Sequence, residues 1–317
     1  MRKFCFFQWW PVLLLLAGCT PVAPPTPLPT ATATAAPAAT TTVALSTPIP
    51  AAAEGRLIEV AGHSLFVTAT GEKKPTVLLE AGLGGDHTSW AQVQPAVAEL
   101  ARVCSYDRAG LGQSGPTTTP RTSADVVQDL HQLLAAAGES GPYLLVGHSF
   151  GGLFVRHFAH TYPDEVVGVI LVDAVHEEWW QRAAALLPLP GDEEKEQLRT
   201  FRHYVTVEYA DPTLNPEGID IPATAKELQA VTTLGDLPLL VLVAGVPLLG
   251  DGVLTPALTG QLNQLLHETL PAALTKLSTQ SLRITVDHSG HNIPTEQPNV
   301  VVAAIRTVID VGCESGC

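Results

Sequence analysis

The sequence predicts an α/β fold, with a mostly parallel sheet covered by helices on both faces. Three observations favour it. From Glu54 onward, short apolar runs alternate with helix-like segments, which is typical of chains whose helices connect parallel strands. The pentapeptide Gly147–Gly151 lies between one such apolar run and a helical segment. A charged and aromatic insertion between Asp173 and Pro238 interrupts the alternation and predicts a helical cap over one edge of the sheet.

The N-terminal segment has the features of a targeting signal rather than of a folded element. Arg2 and Lys3 precede an apolar run, Phe4 to Leu16, that is short for a bilayer span. The run ends in Leu-Ala-Gly-Cys at residues 16–19, which resembles the lipobox of bacterial lipoproteins. That resemblance implies a signal peptide over residues 1–18, a lipidated Cys19 and an extracytoplasmic, membrane-anchored protein. An ordinary signal peptide and a single short membrane helix are the alternatives.

Composition separates a linker from the folded domain and excludes some partners. Residues 19–54 are dominated by Thr, Pro and Ala, so after the lipidated cysteine this segment is predicted to be an extended tether with too little apolar surface to fold. The folded domain is predicted over residues 55–311, followed by a tail at 312–317. A net charge of −14 argues against nucleic acid as a partner, because nucleic-acid binding needs clustered Lys and Arg. The sequence leaves the oligomeric state open.

The elements before the pentapeptide are predicted from their apolar periodicity. A continuous apolar run such as Thr76–Glu80 indicates a strand buried on both faces. Ser123 is expected to cap the helix that it begins. In order, the predicted elements are a hairpin of Arg56–Val60 and Ser64–Thr70 around Gly62, strand Thr76–Glu80, helix Trp90–Leu100, strand Val103–Asp107, helix Ser123–Ala137 and strand Tyr143–Gly147.

The elements after it follow the same alternation, apart from the cap, which is expected over about residues 176–236. In order, they are helix Phe150–Thr161, strand Val166–Asp173, strand Pro238–Gly245, strand Leu282–Val286 and helix Pro298–Val311. Trp179 and Trp180 lie in the cap, where they are expected either to line an apolar site or to pack within the cap itself.

The pentapeptide Gly147-His148-Ser149-Phe150-Gly151 has the pattern G-x-S-x-G. A serine hydroxyl is a weak nucleophile that must be exposed beside a base. A sharp turn from a strand into a helix exposes it, and that turn needs residues without bulk on either side. The predicted strand before Ser149 and helix after it supply this context, so Ser149 is the predicted nucleophile. A glycine-rich turn with an idle serine is the structural alternative.

With these residues in place, the chain resembles the α/β-hydrolase family over about residues 55–311. The family's pattern D-R-x-G-x-G-x-S before the nucleophile strand is matched by Asp107–Ser114. The same stretch contains G-x-G-x-x-G at Gly110, Gly112 and Gly115. We reject a dinucleotide site there, because that motif must open a helix and residues 117–120 are predicted to continue as a loop.

The resemblance implies an oxyanion hole built from two backbone N–H groups. One belongs to Phe150, directly after the nucleophile, and the other to Leu83, in the loop after strand Thr76–Glu80. Such donors commonly contribute the largest electrostatic term in acyl transfer. This chain has Ala81-Gly82 where many family members have His-Gly, a change that a backbone donor tolerates. A plain glycine-rich turn is the alternative.

The resemblance also places the catalytic base at His291, after the last strand, in the order Ser, acid, His. His288 lies three residues earlier and competes for the role. A metal site formed by the two histidines is not expected, because no third ligand is apparent in the sequence. No cofactor is expected.

The acid is less clearly marked. Most family members place it after the strand that here spans Pro238–Gly245, three residues beyond a Gly, but Leu248 occupies that position. The other family location is the end of the preceding strand, where Asp173 lies. Asp173 is therefore the preferred acid and Asp251 its rival, with a purely structural cap for the next helix as a third reading of Asp173.

Together these residues predict a serine hydrolase that cleaves a small-molecule carboxylic ester through an acyl-enzyme. The alternatives are other activities of the family (thioesterase, peptidase, lactonase or perhydrolase) and a non-catalytic surface-binding module, because fold alone does not fix function. Of the cysteines, Cys104 is expected to be a buried, inert thiol. Cys313 and Cys317 are either a disulfide or a free tail.

Overall fold

The computed structural model describes residues 55–191, 194–249 and 254–314, with the side chains of residues 312–314 left out. Several predicted features lie outside these residues: the signal peptide, Cys19, the linker, Asp251 and the pairing of Cys313 with Cys317. No helix in the described part of the chain is long and apolar enough to cross a membrane.

The centre of the molecule is one eight-stranded sheet in the order β1-β2-β4-β3-β5-β6-β7-β8. Pairs β1/β2 and β2/β4 are antiparallel, and the other five pairs are parallel. The strands are β1 Arg56–Val60, β2 His63–Thr70, β3 Thr76–Glu80, β4 Arg102–Asp107, β5 Tyr143–His148, β6 Val166–Val172, β7 Leu239–Ala244 and β8 Ser281–Val286. The predicted mostly parallel sheet is thereby confirmed.

Ten α-helices within the described residues connect and cover these strands. They are α1 Gln94–Ala98, α2 Ser123–Ala137, α3 Gly151–Thr161, α4 Trp179–Leu186, α5 Glu196–Thr206, α6 Ile221–Leu228, α7 Pro256–Gln264, α8 Leu270–Leu274, α9 Ile293–Glu296 and α10 Pro298–Glu314. A π-helical segment, Leu265–Thr269, joins α7 to α8.

Apolar side chains on successive strand residues enter different cores, because a strand directs neighbouring side chains to opposite faces. Leu144 and Val146 of β5 pack in the core shared with α1 and α10, whereas Leu145 packs in the core shared with α2 and α3. This two-sided burial explains why the central strands are continuous apolar runs.

The segment between β6 and β7 forms helices α4, α5 and α6, and its apolar residues, such as Trp180 and Phe201, join the core on the α2/α3 face. We call residues 215–220 of this segment the cap strap. The strap is held to the loop before α2, since Arg121 N–H donates to Gly218 O at 2.9 Å and Asp220 N–H donates to Arg121 O at 2.7 Å.

Several local predictions differ from the structure. The last helix continues to Glu314, into the predicted tail at 312–317. The helix expected from Trp90 to Leu100 is a short turn, His87–Trp90, followed by α1, whose first turn contains Pro95. Proline has no N–H to donate and is tolerated in the first turn of a helix but not in its interior. Thr122, rather than Ser123, caps α2, paired with Asp125 in a capping box. Strand β6 ends at Val172, one residue before Asp173.

Candidate active site

Ser149 lies in a sharp turn between β5 and α3 and has a φ of +53°, a conformation that is uncommon for residues other than glycine. Three glycines allow this turn, because the chain passes so close to its neighbours at these positions that a side chain would not fit. A Cβ on Gly147 would lie 2.6 Å from Gly151 O, one on Gly151 would lie 2.6 Å from Ala81 O, and one on Gly152 would lie 2.4 Å from the Ala174 Cβ. These three glycines thus permit the strained turn at Ser149, which is half-buried.

A continuous chain of hydrogen bonds connects three of the predicted residues. His291 Nε2 lies 2.9 Å from Ser149 Oγ, and His291 Nδ1 lies 2.7 Å from Asp173 Oδ2. Because a carboxylate only accepts hydrogen bonds, Nδ1 carries the proton and Nε2 is free to accept from the serine hydroxyl. The arrangement has the geometry of a serine nucleophile, its base and the group that orients the base.

Asp173 follows β6 directly and is held at both carboxylate oxygens. Oδ2 accepts from His291, and Oδ1 accepts from Ala244 N–H at 2.9 Å, at the end of the neighbouring strand β7. Burial alone would raise the pKa of Asp173, but the hydrogen bond and charge of His291 together with the Ala244 N–H hold that pKa below its ordinary value. Asp173 is therefore ionised at neutral pH.

His148, the residue before Ser149, also contacts His291. Its Nε2–H donates to the backbone carbonyl of His291 at 2.9 Å, and the two rings lie 4.9 Å apart. Burial lowers the pKa of His148 to about 4, and the neighbouring His291 acts in the same direction, so His148 is neutral at neutral pH. Sequence reasoning missed this role, although the residue lies within the motif.

The loop after β3 approaches the nucleophile from the other side. A Cβ built on Gly82 would lie 3.2 Å from Ser149 Cβ and 3.6 Å from its Oγ, which places the next peptide, with the Leu83 N–H, beside the serine. Phe150 N–H belongs to the residue after the serine. Within the described residues, neither N–H donates a hydrogen bond to the chain. Both predicted oxyanion donors are therefore free for a ligand.

A buried ionic cluster lies behind this loop, and sequence reasoning missed it. Arg108 contacts Glu80 and Glu217, and each of the three side chains is at most 2% exposed. Burial alone would lower the pKa of Arg108, but the charges and hydrogen bonds of Glu217 and Glu80 raise it overall. Burial raises the pKa of Glu80 despite the proximity of Arg108. Arg108 follows Asp107 in the D-R-x-G-x-G-x-S stretch, which was a usable signal, whereas Glu217 lies in the cap with no recognisable motif.

His267, which sequence reasoning also missed, lies in the π-helical segment. Its Nδ1–H donates to Ala244 O at 3.1 Å, and its Nε2 accepts from Leu248 N–H at 3.4 Å. Ala244 is the residue whose N–H contacts Asp173. Short π-helical segments occur often at functional sites, and here the segment supports the strand end that holds Asp173.

The remaining candidates are not brought to Ser149. His288 is exposed, with a φ of +63°. Trp179 and Trp180 are buried, and Trp180 stacks on Tyr209 and packs edge-on against Phe150, with ring centroids 6.0 Å apart in each case. The tryptophans therefore pack within the molecule. Cys104 is buried in β4, and burial raises the pKa of its thiol, which favours the inert, protonated form.

One group of residues in the described part of the chain has metal-ligand spacing: Asp86, His87 and Asp107. Its groups already have partners. Asp107 Oδ1 accepts from the His87 backbone and ring at 2.8 and 2.6 Å, and Oδ2 accepts from Gln113 N–H at 2.7 Å. Asp86 caps the short turn after it. These hydrogen bonds explain the cluster without a metal: Asp107 holds the loop that contains His87 and the loop that contains Gln113.

A cavity of about 400 Å³ lies at the opposite end of the sheet, where Thr76 and Arg102 begin their strands. Ser149, Asp173 and His291 instead lie just beyond strand C-terminal ends, the edge at which open α/β sheets bind ligands. That cavity is therefore remote from the candidate site.

Comparisons with known proteins agree with this architecture. A family model described as alpha/beta hydrolase fold matches residues 75–203. An esterase from Thermogutta terrifontis superposes with a TM-score of 0.55 over 82% of this chain and 99% of that chain, at 23% identity. The protein has the α/β-hydrolase fold, and at that identity the likeness concerns the fold alone.

Two curated relatives show how much of each chain the sequence similarity covers. An uncharacterized protein of Bacillus subtilis, YqjL, is 27% identical over 245 residues, covering 77% of this chain and 87% of that protein. An AB hydrolase superfamily protein of Gibberella zeae is 33% identical over 128 residues, covering 38% of this chain and 40% of that protein. The chain spans less than half the length of several curated relatives that it matches.

Proposed function

We propose that the protein is a serine hydrolase that cleaves carboxylic esters through an acyl-enzyme on Ser149. The observation that carries the proposal is the chain of hydrogen bonds from Asp173 through His291 to Ser149, at 2.7 and 2.9 Å. The two free N–H groups of Leu83 and Phe150 beside Ser149 Oγ support it, because ester attack needs donors where the carbonyl oxygen becomes negative.

The reaction has two balanced halves. Ser149 Oγ attacks the ester carbonyl carbon while its proton moves to His291 Nε2, and the carbonyl oxygen becomes an oxyanion facing Leu83 and Phe150 N–H. The C–O bond to the leaving alcohol breaks, the alcohol takes the proton from His291, and an acyl-Ser149 ester remains. In the second half, a water molecule attacks the acyl carbon while one of its protons moves to His291 Nε2. Ser149 leaves with the proton and releases the carboxylic acid.

The roles of the other residues follow from their contacts. Asp173 is ionised, keeps the proton on Nδ1 and stabilises the imidazolium that forms in each half-reaction. His148 is neutral, so its ring places no second positive charge beside the imidazolium. The substrate is a small-molecule ester, and the proposed chemistry needs no cofactor.

Labelling with a fluorophosphonate tests this proposal, because the reagent needs an activated serine. We expect residues 55–317 to take up one label and to hydrolyse short 4-nitrophenyl esters. Ser149→Ala should abolish labelling and lower kcat by about 10⁶-fold, as removal of the nucleophile does in a serine protease. Ser140→Ala, which changes an exposed serine at the far end of the sheet, should behave as wild type. A fully active Ser149→Ala protein would contradict the assignment.

We also propose that the full chain is an extracytoplasmic lipoprotein anchored through Cys19. Radiolabelled palmitate should enter the wild-type protein in a bacterial host, and Cys19→Ser should lose the label and the membrane association. Cys5→Ser removes the other cysteine of the N-terminal segment and should be labelled normally. Stable anchoring is expected to need more than one acyl chain. Equal labelling of the Cys19→Ser and Cys5→Ser proteins would overturn the lipobox assignment.

A further inference from the structure

We propose that Glu217 and Arg108 are positioning residues that set the direction of the Leu83 N–H, so that the cap completes the oxyanion hole. The inference rests on the serine hydrolase function proposed above. It assigns a role to a carboxylate of the cap strap that touches neither the nucleophile nor its base.

All five N–H groups of the Arg108 guanidinium have acceptors, and they join three parts of the chain. Nε–H donates to Glu217 Oε2 at 2.6 Å, and one Nη2–H donates to Glu217 Oε1 at 2.7 Å. The other Nη2–H donates to Gly82 O at 2.6 Å, whereas the Nη1 group donates to Ala81 O at 2.8 Å and to Glu80. A lysine has three donors on one nitrogen and cannot reproduce this fork.

The bond to Gly82 O fixes the oxyanion donor because a peptide group is planar. The peptide between Gly82 and Leu83 is trans, so its N–H points away from its carbonyl oxygen. Arg108 and Gly85 N–H, at 2.6 and 3.0 Å, both bind the Gly82 carbonyl oxygen. Holding that oxygen turned toward the buried guanidinium therefore directs the Leu83 N–H, within the same plane, in the opposite direction, away from Arg108.

Glu217 fixes the next peptide in the same way. Its Oε1 accepts from Gly84 N–H at 2.6 Å, so one carboxylate binds both the arginine and the loop. Gly84 has a φ of +72°, and a Cβ at that position would lie 2.9 Å from Pro216 of the strap. The strap therefore contacts the loop at a position where only glycine fits without strain, and the peptides on both sides of Leu83 are held.

The strap itself is rigid where it carries Glu217. Asn215 Oδ1 accepts from Ile219 N–H at 2.9 Å, and Asn215 Nδ2 donates to Ile219 O at 2.8 Å. Gly218 and Asp220 are bonded to Arg121 of the core. Because precise sites need such supporting contacts, displacement of the strap would release the loop and misdirect the Leu83 N–H.

A matched pair of variants tests this assignment in the full domain. Glu217→Gln keeps the shape of the side chain but removes its charge and one acceptor. Glu177→Gln is the control, since it removes the charge from another ion pair between cap and core, that of half-buried Glu177 with buried Arg156 of α3 at 2.7 Å. This pair does not touch residues 81–84. Each protein is assayed for kcat/KM on 4-nitrophenyl butyrate and for inhibition by an alkyl trifluoromethyl ketone, whose Ser149 adduct carries an oxyanion.

The reduced carbinol of that ketone has nearly the same shape but forms no oxyanion, so it reports on the rest of the site. We expect kcat/KM and ketone affinity to fall together in Glu217→Gln, by about 10²-fold as when an oxyanion donor is lost, while carbinol affinity stays within about twofold. In Glu177→Gln the ratio of ketone to carbinol affinity should equal that of wild type.

Asn215→Ala is a second variant for the event that Glu217→Gln does not fold, because it leaves the buried carboxylate in place and only loosens the strap. It should lower ketone affinity selectively, by roughly tenfold, a fraction of the effect of losing a donor. The inference is wrong if ketone and carbinol affinities fall together, or if the ratio in a folded Glu217→Gln or in Asn215→Ala matches the control. A wild-type protein that forms no ketone adduct would instead defeat the serine hydrolase proposal itself.

Discussion

The two sides of the candidate site are held in different ways. On one side, Asp173 and His291 follow strands β6 and β8, and the acid is fixed by Ala244 at the end of β7, so the support comes from the sheet. On the other side, the loop Ala81–Gly84 is held by Arg108 and by Glu217 of the cap, more than 130 residues further along the chain.

This difference indicates which part of the site should tolerate a change in the cap and which part should respond to it. Asp173 and His291 are held by contacts at the ends of sheet strands, and core strands are among the parts of a protein that open at free energies close to that of global unfolding. The oxyanion side depends on one ionic cluster that joins three parts of the chain: the loop after β3, Arg108 after β4 and the cap. A change in the cap is therefore expected to alter stabilisation of the oxyanion while leaving the nucleophile and its base in place.

The first and largest effect in this comparison is expected from a substitution on the side of the site that the sheet supports. Asp173→Asn should lower kcat by about 10⁴-fold, because an amide cannot hold His291 in the tautomer that accepts the serine proton. The measurement is steady-state hydrolysis of a 4-nitrophenyl ester, with circular dichroism and thermal melting to show that the variant is folded.

The control for this prediction is the rival acid from the sequence. Asp251→Asn should retain near wild-type activity, since Asp173 already contacts the base at 2.7 Å. If Asp251→Asn were inactive and Asp173→Asn active, the acid would belong after β7 and the assignment to the end of β6 would fail.

A second prediction uses His148, which lies between the two sides. Its pKa of about 4 is below the ordinary 6.5, so the unfolded chain binds more protons than the folded one between these values. The free energy of unfolding should therefore fall as the pH decreases from about 6.5 to about 4, by about 3 kcal/mol from this residue. Half-buried His157 and buried His176, whose pKa values are also lowered by desolvation, act in the same direction.

The variant His148→Gln isolates this contribution. Its amide can still donate to His291 O but does not titrate, so the loss of stability over that pH range should be smaller than in wild type. Urea unfolding at several pH values measures it. The lowered pKa of Asp173 acts in a different window, because that stability is present above about pH 4 and is lost only as the pH falls further. Parallel curves for wild type and His148→Gln would refute the role given to burial.

The smallest effect is expected at Gly151, where the start of α3 contacts the loop after β3. In Gly151→Ala the new Cβ would lie 2.6 Å from both Ala81 O and Glu80 O, forcing the start of α3 away from the oxyanion loop. We expect the free energy of unfolding to fall by about 1–3 kcal/mol, as for other overpacked positions. Gly260→Ala in α7, where a Cβ meets nothing within 4 Å, should instead add about 0.5–1 kcal/mol. Equal shifts in the two melting curves would argue against a close contact at Gly151.

Much of the secondary structure can be predicted from the sequence, because it depends on residues that are close together in the chain. The apolar run at Tyr143–Gly147 and the glycines around Ser149 predict a buried strand and a sharp turn, because residues adjacent in the chain determine both. The helix at Ser123–Ala137 has the predicted bounds, although its cap is one residue earlier. Where proline interrupts the pattern, as at Pro95, the long predicted helix is instead two short ones.

What the sequence by itself determined is therefore the α/β fold, the serine turn and the short set of candidates for the acid and base. Only the tertiary structure decided that Asp173 faces His291, that His288 is exposed, and that Glu217 binds Gly84 and Arg108. The physical reason is sequence separation. Strand and turn preferences act within a few residues, whereas the partners of Glu217 lie 133 and 109 positions away and meet it only after the sheet and cap have packed.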